Sequence, residues 1–106
     1  MSTSREVRGV ELRYLLTTYL YDHGPATVEE LVDALTYQGF DVGGRASKAV
    51  SDALRWEIAH GRVIRLGRGR YRPAWMPRAT EYRIDQRVKA LRAEVAKRSL
   101  EGGQLG

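Results

Sequence analysis

Residues 44–73 read GRASKAVSDALRWEIAHGRVIRLGRGRYRP, and the stretch divides into a helix, a glycine stop and a short two-stranded hairpin. Ala46, Val50, Ala53, Leu54, Glu57 and Ile58 fall on one side at 3.6-residue spacing, and all but Glu57 are apolar. Arg45, Lys48, Asp52, Arg55 and Ala59 fall on the other side. Gly61 supplies a residue free to turn left-handed where the helix ends, and His60 places a ring where a helix C-terminus favours a cation. Arg62-Val63-Ile64-Arg65-Leu66 is then β-branched and apolar with Arg interleaved, and Arg70-Tyr71-Arg72 can pair back on it across a Gly-rich turn, Gly67-Arg68-Gly69. Between Arg45 and Pro73 eight basic residues face only Asp52 and Glu57. A helix with a basic outer face, joined to a ribbon with a basic tip, suits a grooved polyanion such as duplex DNA.

Working outward, the charge is split along the chain. Residues 1–44 hold three arginines against seven acids, whereas the remainder holds 15 basic residues against six acidic ones. One end is composed to meet phosphate and the other is not. The 106 residues fit a single domain with an appended helix. No apolar run approaches membrane-spanning length and no apolar signal region follows Met1, so the expectation is a cytoplasmic protein, associated with the nucleoid and with no membrane partner. The absence of cysteine excludes a disulfide framework and a thiolate zinc site. Two histidines, no acid–base pair and no phosphate-cradling loop followed by Lys and Ser/Thr argue against an enzyme, and no metal or cofactor is expected.

Upstream, residues 1–5 read as a flexible start. A helix from about Glu6 to Asp22 carries Val10, Tyr14, Leu15, Thr18 and Tyr21 at helical spacing, widened by Leu12, Leu16, Tyr19 and Leu20. So broad an arc predicts a central position in the core, with the tyrosines packing. Gly24-Pro25 stops it. Ala26-Thr27 is a short extended piece, and Thr27-x-x-Glu30 matches a capping box that opens a second helix ending near Gln38. Phe40-Asp41-Val42-Gly43-Gly44 reads as a loop with Phe40 and Val42 tucked beneath it.

Downstream, residues 74–79 form a linker expected to lay Trp75 and Met76 over the first helix or into a partner. A last helix over residues 80–100 carries Ile84, Val88, Leu91 and Val95 at steps of 4, 3 and 4, a narrow apolar stripe on a charged rod. So thin a stripe points to a two-helix seam, and the expectation is a homodimer, with folding back on the chain's own first helix as the competing arrangement. Gly102-Gly103 then releases a flexible tail over residues 101–106.

The order helix, helix, helix, hairpin, helix resembles a winged helix-turn-helix domain over residues 6–73, mainly α with a small β-hairpin, followed by a C-terminal helix. The residues that carry the resemblance are Gly24-Pro25-Ala26-Thr27-Val28-Glu29-Glu30-Leu31, Ser51-Asp52-Ala53-Leu54, and the run from His60 to Arg72. The resemblance implies a double-stranded DNA-binding protein, either a transcriptional regulator or a nucleoid-associated protein. Its third helix would enter the major groove and its wing would meet the minor groove or backbone. By position, Arg45, Ser47, Lys48, Ser51 and Arg55 form the groove-facing set, beside Asp52, and Arg65, Arg68, Arg70 and Arg72 belong to the wing. Arg68-Gly69-Arg70 also resembles the core of AT-hook minor-groove binders, with Tyr71 where those motifs place proline, which implies an A/T-rich preference. The segment Gly39 to Gly44 is longer than the turn of the compact motif. A second reading is a winged-helix interaction module that docks a partner through the C-terminal helix. RNA binding ranks below both, because no strand carries spaced aromatic residues for base stacking.

Overall fold

Local signals set most of the element boundaries in the computed structural model, which describes residues 4–104, with side chains through residue 98. In chain order the elements are β1 (Arg5–Glu6), α1 (Gly9–His23), β2 (Ala26–Thr27), α2 (Val28–Tyr37), β3 (Phe40–Asp41), α3 (Ala46–Ala59), β4 (Val63–Leu66), β5 (Arg70–Pro73) and α4 (Arg78–Gln104). Gly24 closes α1 by donating its N–H to the Leu20 carbonyl at 2.8 Å. The capping box forms in full: Thr27 Oγ1 accepts from the Glu30 N–H at 3.1 Å, and Glu30 Oε1 accepts from the Thr27 N–H at 2.8 Å.

Two small sheets tie the helices together. One is antiparallel with strand order β2-β5-β4, so the short piece before α2 pairs with the second strand of the hairpin. The other is a two-residue parallel pairing of β1 with β3. This corrects the flexible start expected through residue 5: Arg5 donates its N–H to the Gly39 carbonyl at 2.9 Å, and Val7 to that of Asp41 at 2.8 Å. It also converts Phe40-Asp41 from loop to strand, although Phe40 and Val42 are buried as expected. Residues 1–3 lie outside the described residues.

Helix α1 is central, packing against α3, α4 and β5. Its buried side is Leu12, Leu15, Leu16, Thr17, Thr18 and Leu20, rotated from the expected arc so that Val10 and Tyr21 stand exposed. Helix α4 lies along α1, and here the dimer-seam expectation for Ile84, Val88, Leu91 and Val95 is corrected. All four belong to the chain's own core, with Val88 fully buried and Val95 the most accessible at 9%. The arrangement is a folding back, and it removes the apolar contact set on which docking through this helix would rely. Gly39 allows the close approach: its φ is +91°, and a Cβ there would stand 2.6 Å from Val95 Cγ1. Arg5 reinforces the packing from the N-terminal side. Its guanidinium pairs with Glu11 of α1 and, at 2.7 Å, with Glu94 of α4, while Arg87 reaches Glu11 at 3.1 Å.

The linker is shorter than expected, since α4 begins at Arg78, and it divides in its behaviour. Met76 is buried near Thr18 and Tyr21 of α1, but Trp75 remains 81% exposed rather than covering that helix. The helix does not end at residue 100 but continues through Gly102-Gly103 to Gln104, and residues 105–106 lie outside the described residues. Among the described residues no helix is long and apolar enough to cross a membrane.

Candidate nucleic-acid interface

Helix α3 buries Val50, Ala53, Leu54 and Glu57, and this fixes which side it turns outward. Arg45, Ser47, Lys48, Asp52 and Arg55 are exposed and Ser51 is half-buried, matching the helical periodicity. On that face Asp52 bridges two cations. One carboxylate oxygen accepts from Lys48 Nζ at 3.0 Å, and the other from Arg55 Nη1 at 3.4 Å. The Lys48 hydrogen bond holds the Asp52 carboxyl below its ordinary range. Asp52 thus sets the direction of two long side chains, and both remain largely in solvent.

The inner side of α3 contains an interaction that the sequence signals only by an acid on an apolar stripe. Glu57 is fully buried and receives a fork from Arg62, Nε to Oε1 at 2.9 Å and Nη2 to Oε2 at 2.7 Å. Thr17 of α1 donates its hydroxyl to Oε1 at 2.7 Å, and Arg13 approaches Oε2 at 3.8 Å. The Glu57 hydrogen bond raises the Arg62 pKa, so the guanidinium stays charged. Three segments meet at this carboxylate: α1, α3 and the residue that leads into β4. Trp56 closes the outside of the cluster. His60 stacks on its indole with ring centroids 3.5 Å apart, and the Arg13 guanidinium lies 3.9 Å from the ring centroid.

From Arg62 the chain enters the ribbon, whose pleat sorts the wing arginines. Arg65 pairs with Tyr71, and Ile64 pairs with Arg72. Successive side chains point to opposite faces, so Arg65 shares the helix-facing side with buried Val63 and Tyr71. Arg70 and Arg72 occupy the other face. Arg68 stands at the tip in a left-handed conformation (φ +62°), followed by Gly69 at φ +72°. Such a backbone is uncommon for a side chain that is not Gly, Asn or Asp.

The structure therefore brings Ser51, Arg55 and Arg65 together. With Ile58 and Tyr71 they line a cleft of about 210 Å³ between α3 and the ribbon. Arg45, Ser47 and Lys48 continue from it along α3, Arg68 projects at the far end of the ribbon, and Arg70 and Arg72 lie across the strands from the cleft. Among the described residues Arg45, Arg65, Arg68 and Arg70 make no ion pair. Sequence reasoning missed Tyr71 as a wall of this cleft; its strand register with Arg65 was the available signal.

No protein-family model, curated protein or solved structure matches the chain.

Proposed function

We propose that this chain is a winged helix-turn-helix protein that binds double-stranded DNA, α3 entering the major groove and the β4–β5 wing meeting the adjacent minor groove or backbone. The sheet order β2-β5-β4, with β2 leading directly into α2, supports the winged assignment. The observation that carries the DNA reading is the shared cleft: basic side chains from α3 and from the ribbon border one opening. Cations presented side by side in this way suit neighbouring phosphates along a duplex. Lys48, Ser51 and Arg55 suit phosphate, and Arg68 at the narrow tip suits the minor groove, with the A/T preference that a narrow groove confers. The biological role on this reading is transcriptional regulation or nucleoid organisation.

Gel-shift titrations on A/T-rich and G/C-rich duplexes over a range of salt test the proposal. Binding is expected to weaken steeply with salt and to fall when Arg68 and Arg70 are replaced by alanine. Salt-independent binding, or none at low salt, would sink it.

A further inference from the structure

The cleft between α3 and the ribbon has a donor set that its own chain leaves open. Two guanidinium-bearing side chains, Arg55 and Arg65, and two hydroxyl-bearing ones, Ser51 and Tyr71, line it. Neither hydroxyl makes a hydrogen bond to another described residue, although Tyr71 is only 9% exposed. Arg65 has no ion pair among the described residues. Arg55 has only the long 3.4 Å contact with Asp52, whose other oxygen is held by Lys48. No carboxylate lines the cleft, and Ile58 supplies its apolar wall. Two forked cations and two hydroxyl groups around one opening complement a tetrahedral oxyanion, and no carboxylate within the cleft competes with it.

We propose that this cleft is a phosphate seat, and that its occupant is a single backbone phosphate of duplex DNA, held at the point where α3 and the ribbon part. The inference rests on the DNA-binding reading and deepens it. A phosphate fixed from both sides sets the depth of α3 and the entry angle of the ribbon together, so Arg65 and Tyr71 position the protein on the duplex rather than read bases. Arg65 belongs here through its register opposite Tyr71. Arg70 and Arg72, on the reverse face, do not.

Two variants of the full chain separate this from a general basic surface: Arg65→Gln, which removes a charge, and Tyr71→Phe, which keeps the ring and removes only the hydroxyl. Arg65→Gln is expected to weaken duplex binding about tenfold and to reduce the slope of log K against log salt by about one unit. Tyr71→Phe is expected to weaken binding several-fold with the slope unchanged, because a neutral donor releases no counterion. Thermal melting of each variant tracks the fold separately. In NMR titrations with inorganic phosphate, the backbone amides of Ser51, Arg65 and Tyr71 should shift saturably in the intact chain and stay still in Arg65→Gln. If the intact chain binds duplex while both variants keep its affinity and salt slope, the seat is refuted and DNA binding stands. If the intact chain binds no duplex, both readings fall, and a saturable phosphate response would then assign the cleft to a free phosphate ligand.

Discussion

Glu57 of α3 and Arg62 at the entry to β4 are joined by a two-pronged hydrogen-bonded ion pair, and the carboxylate of that pair is fully buried. Five residues apart in sequence, they span the glycine turn between the helix and the ribbon. The Thr17 hydroxyl fixes the same carboxylate to α1. The angle between the two elements of the proposed interface is thereby tied to the core rather than left to a hinge. A buried charge is tolerated only when fully paired, and removing one partner strands the other.

Glu57→Gln should therefore be costly although it is nearly isosteric. It leaves Arg62 and Arg13 without their shared anion, and the loss is expected to be about 3 kcal/mol, at the lower end for a broken buried pair because Arg62 keeps some contact with solvent. Urea unfolding monitored by circular dichroism measures it. A change under about 0.5 kcal/mol, ordinary for a surface site, would show that the network does not hold the fold.

Arg68 separates stability from binding. Its left-handed backbone costs about 1 kcal/mol relative to glycine, which adopts that conformation freely. Arg68→Gly is thus expected to leave the melting temperature unchanged or raised while duplex affinity falls. Parallel melting and gel-shift measurements decide it. A variant that binds as tightly as the parent would remove the tip from the interface.

Helix α4 belongs to the core, so its truncation should be a folding defect rather than an assembly defect. Leu91, 3% exposed, is expected to cost about 3 kcal/mol when replaced by alanine. A chain ending at Pro77 loses Ile84, Val88, Leu91 and Val95 together and should not fold. Calorimetry on both, with sedimentation of the full chain before and after Leu91→Ala, distinguishes the cases. Loss of a dimer with the protomer fold intact would restore the seam.

These outcomes bear on what could be read from sequence. Gly24, Gly39 and Gly61, the Thr27–Glu30 box and the two faces of α3 are local signals, settled within a helical turn, and the structure follows them. The errors lie where the deciding partner is distant. Arg5–Glu6 is too short to show a strand period, and its pairing partner is β3, on the far side of two helices. The 4-3-4 stripe of α4 specifies an apolar contact but not whose, and the accommodating surface includes Gly39, where only a missing side chain permits Val95 to approach. At the candidate site the period assigned Arg45, Lys48 and Arg55 correctly to the outer face. That Arg65 and Arg70 lie on opposite faces of the ribbon needed the strand register as well.

The Arg5–Glu11 contact makes an acid-sensitive clasp between the N-terminal segment and α1. Hydrogen bonding from Arg5, reinforced by Arg87, holds the Glu11 carboxyl below its ordinary value. The folded chain then binds that proton less readily than the unfolded chain, so the unfolded state carries more protons across the window between the depressed and ordinary values. Stability from this group is complete above the ordinary glutamate range and is lost as pH falls through the folded pKa. Glu30 and Asp52 are shifted in the same direction and form a background that Glu11→Gln leaves in place. Urea midpoints compared between about pH 6 and pH 3 should therefore decline for both proteins, but less for Glu11→Gln. The two curves should converge at the acid end, where protonated Glu11 resembles glutamine. Parallel curves across the whole range would mean that the clasp contributes nothing to holding α1 against the N-terminal strand.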